Sequence, residues 1–180
     1  TRRSNKGIFK VIFKMRIAID FDDTIVKTSD KVKEYLNKYN IKEFNNLDEK
    51  YEFYKKYIDD ITKNLDFFDD VVDVLNKLSI NNELYLITAR SNYYSDSLKD
   101  STIKFIKDNK LPFKEIHFEC YEIGKAIKCE ELNIDLFIDD YYVNCLEVSK
   151  KGIDTLLFKN EYDNLKTINS WQDILKYVEG

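Results

Sequence analysis

The sequence has little glycine, proline, histidine or cysteine, and each shortage narrows the kinds of protein that it can encode. Its 180 residues include only 4 glycines and 1 proline, so no linker rich in these residues is evident. No internal repeat or low-complexity tract is evident either, which argues against a repeat architecture. With 43% hydrophobic and 34% charged residues, the composition is typical of one globular domain with a buried core.

The single histidine and the few cysteines restrict the catalytic chemistry that is available. His117 lies within the apolar run EIHFEC, so we interpret it as structural, and a Ser-His-Asp or Cys-His arrangement would have to use it. The cysteines Cys120, Cys129 and Cys145 are odd in number and lack the spacing of a metal site. We interpret them as reduced thiols of a cytoplasmic protein.

The chain also lacks a basic excess and a long apolar run. Its formal net charge of -4 argues against nucleic acid as a partner, because nucleic-acid-binding domains are normally basic. No apolar run approaches the roughly 20 residues that a membrane-spanning helix needs. We therefore expect neither a nucleic-acid partner nor a membrane segment.

The first nineteen residues contain six basic residues and no acidic one. Met15 directly precedes the first convincing strand, so we interpret residues 1–14 as an N-terminal extension that is not native to the protein. An additional edge strand over IFKVIF is the alternative. An organellar targeting segment is less favoured, although a basic, acid-free composition agrees with it.

Short apolar runs alternate with helical patterns along the rest of the chain. We predict five buried strands: RIAID (16–20), ELYLITAR (83–90), KEIHFE (114–119), IDLFIDD (134–140) and DTLLF (154–158). Helices of about ten residues between them imply right-handed crossovers, and therefore an α/β fold with a doubly wound parallel sheet. We assign residues 15–27 and 67–180 to this core. Two helical patterns in residues 28–66 interrupt the alternation, and we interpret them as a small helical cap.

Polar residues gather where the predicted strands end, at the edge where ligands bind open parallel sheets. Asp20 and Asp22 follow the first strand, Thr88 ends the second, and Asp139 and Asp140 end the fourth. A lysine at the start of the preceding helix joins them: Lys125, with Lys128 as the alternative.

These residue types suit the binding and cleavage of a phosphate ester. Carboxylates from two strand ends form an oxygen-only site that favours Mg²⁺. A lysine, a threonine hydroxyl and adjacent backbone N–H groups bind phosphate oxygens. One carboxylate can attack phosphorus and form an aspartyl-phosphate, and a second, two residues on, can serve as general acid and then general base.

The order of these motifs resembles the haloacid dehalogenase (HAD) superfamily of phosphohydrolases. The matching segments are DFDDT (20–24), LITAR (86–90), Lys125 in GKAIKC, and FIDD (137–140). The resemblance covers roughly residues 15–160 and implies a HAD-like core. The run KAIKCEELNIDLFIDD, with an early helical cap, is most similar to the 5′(3′)-deoxyribonucleotidase-type branch.

The resemblance implies a role for each matched residue. Asp20 would be the nucleophile and Asp22 the acid/base, Thr88 would hold the phosphoryl group, and Lys125 would offset the charge around it. Ala89 and Arg90 follow Thr88 and are further candidates for phosphate or substrate binding, although Arg90 could equally form a salt bridge.

The same resemblance implies a Mg²⁺ site. Asp20, the backbone carbonyl of Asp22 and the pair Asp139–Asp140 would bind the ion, with Asp140 favoured as the direct ligand and Asp139 supporting it. Asn144 stands where many relatives carry a further acid, which leaves the outer metal shell open.

A phosphate-accepting receiver domain combines similar residues, but its phosphorylated aspartate precedes the threonine and lysine along the chain. Here the second acidic cluster follows Lys125, and a cap interrupts the first crossover. We therefore expect a Mg²⁺-dependent phosphatase. A HAD-like domain that binds Mg²⁺ and phosphate without turnover is the alternative.

The predicted cap sets the choice of substrate, because it closes over the leaving group. Its aromatic residues could stack on a nucleobase or form the core of the cap, or contribute to a homodimer contact. They are Tyr35, Tyr39, Phe44, Tyr51, Phe53, Tyr54 and Tyr57. The resemblance favours a nucleoside monophosphate as substrate, with another small ester such as a sugar phosphate as the alternative.

Overall fold

The computed structural model describes residues 14–180. The N-terminal extension expected over residues 1–14, and the alternative edge strand over IFKVIF, lie outside the described residues except for Lys14. In the described part of the chain, the secondary structure alternates between strands and helices, as the sequence predicts.

The described residues form six strands in one sheet. The five predicted strands are present, and a sixth strand of two residues was too short to show a pattern. Their bounds are Arg16–Ile19 (β1), Glu83–Ile87 (β2), Glu115–His117 (β3), Leu136–Asp139 (β4), Asp154–Phe158 (β5) and Thr167–Ile168 (β6).

Seven helices accompany these strands in residues 14–180. The last helix has an N-terminal cap, because the Ser170 side chain accepts a hydrogen bond from the Asp173 N–H. The bounds are Thr28–Lys38 (α1), Leu47–Lys63 (α2), Val71–Asn81 (α3), Leu98–Asp108 (α4), Glu122–Glu131 (α5), Tyr142–Ser149 (α6) and Trp171–Glu179 (α7).

The strands are parallel and run in the order β3-β2-β1-β4-β5-β6. β1 is central, and its Ile19 lies beside Leu86 of β2 and Ile138 of β4. The direction of chain progression reverses between β1 and β4, and such switch points open a crevice at the carboxyl ends of the strands. The topology therefore places the residues after β1 and β4 on opposite sides of one crevice.

Helices cover both faces of the sheet, which makes the fold doubly wound. Ile17 and Ile19 of β1 belong to a hydrophobic core with residues of α1, α2, α3, α4 and α7. Ala18 points to the opposite face and joins a smaller core with residues of α5 and α6. Because both faces are covered, the central strands read as continuous apolar runs in the sequence.

The segment after β1 is fixed by contacts with distant parts of the chain. Buried Trp171 donates a hydrogen bond from Nε1 to the backbone carbonyl of Thr24 at 3.1 Å. The Thr24 hydroxyl oxygen accepts a hydrogen bond from the Asp140 N–H at 3.1 Å. The loop after β1 is therefore attached to both β4 and α7.

Helices α1 and α2 stand between β1 and α3, where the sequence predicts a cap, and we call residues 28–66 the two-helix insertion. α2 packs against α4, and Asp59 of α2 accepts hydrogen bonds from the hydroxyls of Ser95 at 2.5 Å and Ser97 at 2.9 Å. The insertion is thereby attached to the segment that follows β2.

Within residues 14–180, no helix combines the length and the apolar character needed to cross a membrane.

A cluster of charges at the amino end of β2 generates a prediction about acid stability. Glu83 accepts hydrogen bonds from Lys14 at 2.8 Å and Tyr85 at 2.9 Å and pairs with Lys114 at 2.9 Å. The Lys14, Lys114 and Tyr85 hydrogen bonds lower the pKa of Glu83 from 4.5 to about 2. Its contribution to stability is therefore complete above the unfolded-state pKa and disappears as the pH falls towards 2.

We expect Glu83→Gln to lower the free energy of unfolding near neutral pH, and the difference from the wild type to shrink below about pH 4. Urea denaturation over that pH range measures both quantities. Glu161→Gln is the matched control, because Glu161 is exposed and has no ion pair among the described residues. A difference that stays constant with pH would contradict the prediction.

Candidate active site

The loop that follows β1 turns tightly and separates its three carboxylates. The N–H of Ile25 donates to the carbonyl of Phe21 at 3.0 Å, and the N–H of Asp23 to the carbonyl of Val26 at 2.8 Å. Asp23 adopts a left-handed conformation with φ of 56°. Its carboxylate accepts hydrogen bonds from the backbone N–H of Ser29 at 2.8 Å and from the Ser29 hydroxyl. Asp23 therefore stabilises the turn and the start of α1.

A buried lysine joins the ends of β1 and β4. The Lys125 ammonium group lies 2.5 Å from Oδ1 of Asp20 and 2.7 Å from Oδ2 of Asp139. Lys125 is 2% exposed, Asp20 5% and Asp139 0%. Lys128, the alternative on the same helix, pairs instead with Glu131 at 2.5 Å. The structure therefore selects Lys125 as the cation at this rim.

Asp139 has both carboxylate oxygens occupied by hydrogen bonds. Oδ1 accepts from the Tyr141 N–H at 2.8 Å and the Asn144 side chain at 3.0 Å. Oδ2 accepts from Asn144 at 2.9 Å and from Lys125. An acid in place of Asn144 would repel Asp139, whereas the amide holds it. The Asn144 side chain thus fixes the orientation of Asp139.

Asp140 is less constrained. Its Oδ1 accepts from the Thr24 hydroxyl at 3.3 Å, and its Oδ2 accepts no hydrogen bond from the described residues. Burial and the neighbouring charge of Asp139 raise the pKa of Asp140 to about 7. A carboxylate with one open oxygen and an unfavourable charged form is suited to direct contact with a cation.

Oxygen atoms of Asp20, Asp139 and Asp140 lie within 4.8 Å of one another. Burial raises the pKa of Asp20, with the charges of Asp139 and Asp22 acting in the same direction, and Lys125 offsets only part of this. Three carboxylates thus share one ammonium group. This excess of negative charge on an oxygen-only donor set fits Mg²⁺, a hard divalent cation.

Asp22 lies on the other side of the loop and pairs with Arg90. The Arg90 guanidinium donates to Asp22 from Nη2 at 2.7 Å and from Nε at 2.9 Å. Of the two alternatives that the sequence leaves open for Arg90, the structure shows the salt bridge. Burial raises the pKa of Asp22, but the charge and hydrogen bonds of Arg90 outweigh it and leave that pKa below its usual value.

Thr88 and Ala89 follow β2, beside β1. Thr88 is fully buried, and its Oγ1 accepts a hydrogen bond from the Arg90 N–H at 3.2 Å. Ala89 and Arg90 line a cavity that Asp22 also lines. Their place at the same end of the sheet as Asp20 agrees with the sequence prediction, whereas binding of phosphate by these residues stays a prediction.

The cavity next to Asp22 has a volume of about 390 Å³, and four tyrosines are among the twelve residues that line it. Tyr54 comes from the two-helix insertion, Tyr93 and Tyr94 from the segment after β2, and Tyr121 from the residue before α5. Burial, together with the neighbouring Tyr94 and the charges of Asp22 and Asp23, raises the pKa of Tyr54. The Tyr54 hydroxyl therefore sits in the electrostatic field of the carboxylates.

Sequence reasoning missed Tyr93, Tyr94 and Tyr121 as candidates. A signal was present, because Tyr93 and Tyr94 lie a few residues beyond Thr88, on the rim where the ligand is expected. The other aromatic residues of the insertion mostly pack against one another. Tyr39 stacks on Tyr57 with ring centroids 4.5 Å apart, and Phe53 is buried.

The chain is similar to proteins of known name and to proteins of known structure. No family model matches it. A protein named nucleotidase, from Clostridium acetobutylicum, is 34% identical over 160 residues, which span 88% of this chain and 79% of that protein.

Solved structures of HAD hydrolases share the fold. A haloacid dehalogenase-like hydrolase from Streptococcus pneumoniae superposes with a TM-score of 0.69 at 15% identity, covering 91% of this chain and 98% of its own. A HAD hydrolase from Bacillus subtilis bound to magnesium has a TM-score of 0.62 at 14% identity, covering 92% and 98%. The identity with the Clostridium relative, the shared fold and the residues at the strand ends all lead to the same conclusion. The chain belongs to the haloacid dehalogenase superfamily and is a HAD-type phosphatase.

Proposed function

We propose that the protein is a Mg²⁺-dependent phosphomonoesterase that acts on nucleoside monophosphates through an aspartyl-phosphate on Asp20. The observation that carries this proposal is the buried Lys125, which bridges Asp20 and Asp139 at the switch point of the sheet. A cation that binds two buried carboxylates holds one of them, Asp20, in a fixed orientation. It also supplies a positive charge where a phosphoryl group would arrive.

In the first step, a carboxylate oxygen of Asp20 forms a bond to phosphorus while the bond to the ester oxygen breaks. Lys125 keeps its contact with Oδ1 of Asp20, which leaves Oδ2 free to attack. Asp22, which is ionised beside Arg90 in the free site, accepts the proton of a monoanionic phosphate ester and passes it to the departing alkoxide. The Thr88 hydroxyl and the N–H of Ala89 would hold the phosphoryl oxygens.

In the second step, water attacks the aspartyl-phosphate, and the Asp22 carboxylate takes the proton from that water. Inorganic phosphate leaves, and Asp20 is regenerated as a carboxylate. Mg²⁺, bound by Asp20, Asp140 and the backbone carbonyl of Asp22, would neutralise phosphoryl charge in both steps. Asp139, whose oxygens are occupied by Lys125, Tyr141 and Asn144, would support this site.

The cavity with four tyrosines in its lining supports a nucleoside as the leaving group. It adjoins Asp22, which must meet the ester oxygen, and aromatic rings stack on every nucleobase. The name of the Clostridium acetobutylicum relative points to the same substrate class. We propose that residues 28–66 act as the cap, since Tyr54 of this insertion contributes a wall of the cavity, with residues 15–27 and 67–180 as the core. A cytoplasmic location agrees with three buried, free cysteines.

Replacement of the nucleophile tests the mechanism. We expect Asp20→Asn to lower kcat for p-nitrophenyl phosphate at least about a thousandfold, because an amide oxygen does not attack phosphorus. Asp23→Asn is the matched control. It lies in the same loop, its asparagine tolerates the left-handed conformation, and it should keep most of the activity. Full activity in Asp20→Asn would refute the aspartyl-phosphate, and no activity in the wild type with Mg²⁺ would favour a domain that only binds.

Removal of the metal ligand tests the Mg²⁺ site through stability as well as activity. Ligands that bind only the folded state raise its stability, so Mg²⁺ should raise the melting temperature of the wild type. We expect Asp140→Asn to raise the half-saturating Mg²⁺ concentration at least about tenfold in melting curves and in the activity assay. Exposed Asp163→Asn should leave it unchanged. An unchanged Mg²⁺ response in Asp140→Asn would exclude Asp140 as a ligand.

Comparison of substrates tests the role of the cavity. We expect nucleoside monophosphates to exceed sugar phosphates in kcat/KM, and Tyr54→Leu to lower their kcat/KM about tenfold, the value of one stacking contact. The same variant should leave glycerol phosphate within about twofold. Tyr39→Leu, in the same insertion but outside the cavity, is the control. Activity confined to sugar phosphates would reject the nucleotidase proposal.

A further inference from the structure

Arg90 is the buried cation that the proposed chemistry does not yet use. It is 7% exposed, and its guanidinium carbon lies 4.6 Å from the ring centroid of Phe21, the residue between the two working aspartates. A planar guanidinium that is stacked on one side and hydrogen-bonded at its edge has little freedom to rotate. Arg90 is therefore a rigid element under the loop that carries Asp20 and Asp22.

The hydrogen bonds of Arg90 leave little of it for a substrate. Nη1 donates to the hydroxyl oxygens of Thr62 and Thr102, both at 3.0 Å. Nε donates to Oδ2 of Asp22 at 2.9 Å and approaches Oδ1 at 3.2 Å, and Nη2 donates to Oδ1 at 2.7 Å. Four of its five N–H groups are thus committed to protein atoms, which disfavours the substrate-binding role that the sequence suggested.

The two carboxylate oxygens of Asp22 accept different numbers of hydrogen bonds. Oδ1 accepts from the Thr28 hydroxyl at 2.6 Å as well as from Nη2 and Nε of Arg90. Oδ2 accepts only from Nε of Arg90 among the described residues. With Oδ1 fully occupied, Oδ2 is the oxygen available to the ester oxygen of a substrate in the adjoining cavity.

Arg90 also connects Asp22 to two separate elements of the fold. Thr62 belongs to α2 of the two-helix insertion, and Thr102 belongs to α4 of the sheet-covering layer. Both threonines are fully buried. Because the Arg90 guanidinium binds both Thr62 and Asp22, the orientation of Asp22 depends on the position of the two-helix insertion.

We propose that Arg90 is a positioning residue for the acid/base, which turns Oδ2 of Asp22 towards the leaving group and, through Thr62, links this alignment to the docked insertion. This inference rests on the proposed function, in which Asp22 protonates the leaving oxygen. Arg90 touches neither the phosphoryl group nor the attacking oxygen in this role. Replacement of Arg90 should therefore slow the reaction more when the leaving group requires protonation than when it leaves as a stable anion.

Two substrates separate this role from a structural one. The alkoxide of a nucleoside is a poor leaving group that needs the acid, whereas p-nitrophenolate leaves as a stable anion. The measured quantity is the rate of leaving-group release in the first turnover at saturating substrate, since hydrolysis of the aspartyl-phosphate uses Asp22 with either substrate.

We expect Arg90→Gln to slow first-turnover release from a nucleoside monophosphate about a hundredfold, the low end of general acid catalysis, and release from p-nitrophenyl phosphate less than about threefold. Arg90→Lys should fall between the wild type and Arg90→Gln, because an ammonium cannot form the paired contact. Thr62→Val, which keeps the shape and removes the acceptor, should show the same selectivity at about tenfold or less. It also provides a readout should Arg90→Gln not fold.

Arg16→Gln is the control for loss of an arginine away from the site, although Arg16 is less buried than Arg90. Arg16 donates to the Tyr85 hydroxyl at the opposite end of β1, so neither rate should change. Asp22→Asn tests the underlying proposal on the same two substrates and should show the largest selectivity.

The outcomes are distinct. Selective loss in Asp22→Asn with equal losses on both substrates in Arg90→Gln and Thr62→Val would overturn the inference and leave the proposed function standing. Unchanged saturating rates in Arg90→Gln, with a higher half-saturating concentration for both substrates, would assign Arg90 to substrate binding and overturn it too. No selectivity in Asp22→Asn would refute the acid role itself, and the inference with it.

Discussion

The neutralisation of buried negative charge is the constraint on which the rest of this site depends. β1 and β4 end side by side at the switch point and bring Asp20, Asp139 and Asp140 within 4.8 Å. Burying an unpaired carboxylate costs several kcal/mol, and the ammonium group of Lys125 compensates only part of this charge. Asn144 and the Tyr141 N–H hold Asp139 without adding charge. The negative charge that Lys125 leaves uncompensated favours a divalent cation, so the proposed Mg²⁺ site would arise from the way the sheet brings these strand ends together.

The positions of the main elements follow from the sequence because both faces of the sheet are covered. Strands buried on two sides need continuous apolar runs, and parallel strands need helical crossovers, so both signals were strong. Lys125 was harder to distinguish from Lys128, which is one helical turn away, since only the packed helix shows which lysine faces the carboxylates. β6 has two residues, too few for a periodic pattern. The pairing of Arg90 with Asp22 depends on how the segments after β1 and β2 meet, and residue order alone does not specify it.

The residues of the candidate site come from two kinds of structure, the sheet with a helix packed on it and the segments that connect these elements. Asp20, Thr88 and Lys125, which we propose act on the phosphoryl group common to all substrates, come from the ends of strands and from a helix packed on the sheet. The tyrosines near Asp22 come from the two-helix insertion and from segments that follow strands. Segments of this kind accept substitution more readily than core strands. Substitution of these tyrosines would therefore alter the fit of a leaving group without disturbing the residues at the ends of the strands.

The hydrogen bond between Trp171 and Thr24 spans 147 positions of sequence. A ribosome releases the loop that carries Asp20 and Asp22 first, and its neighbours β4 and α7 emerge later because they follow it in the chain. Until then the carboxylates of this loop lack both Lys125 and the indole that holds the Thr24 carbonyl. The loop can therefore reach its native arrangement only after these later segments have folded against it, so the site depends on contacts between distant parts of the chain.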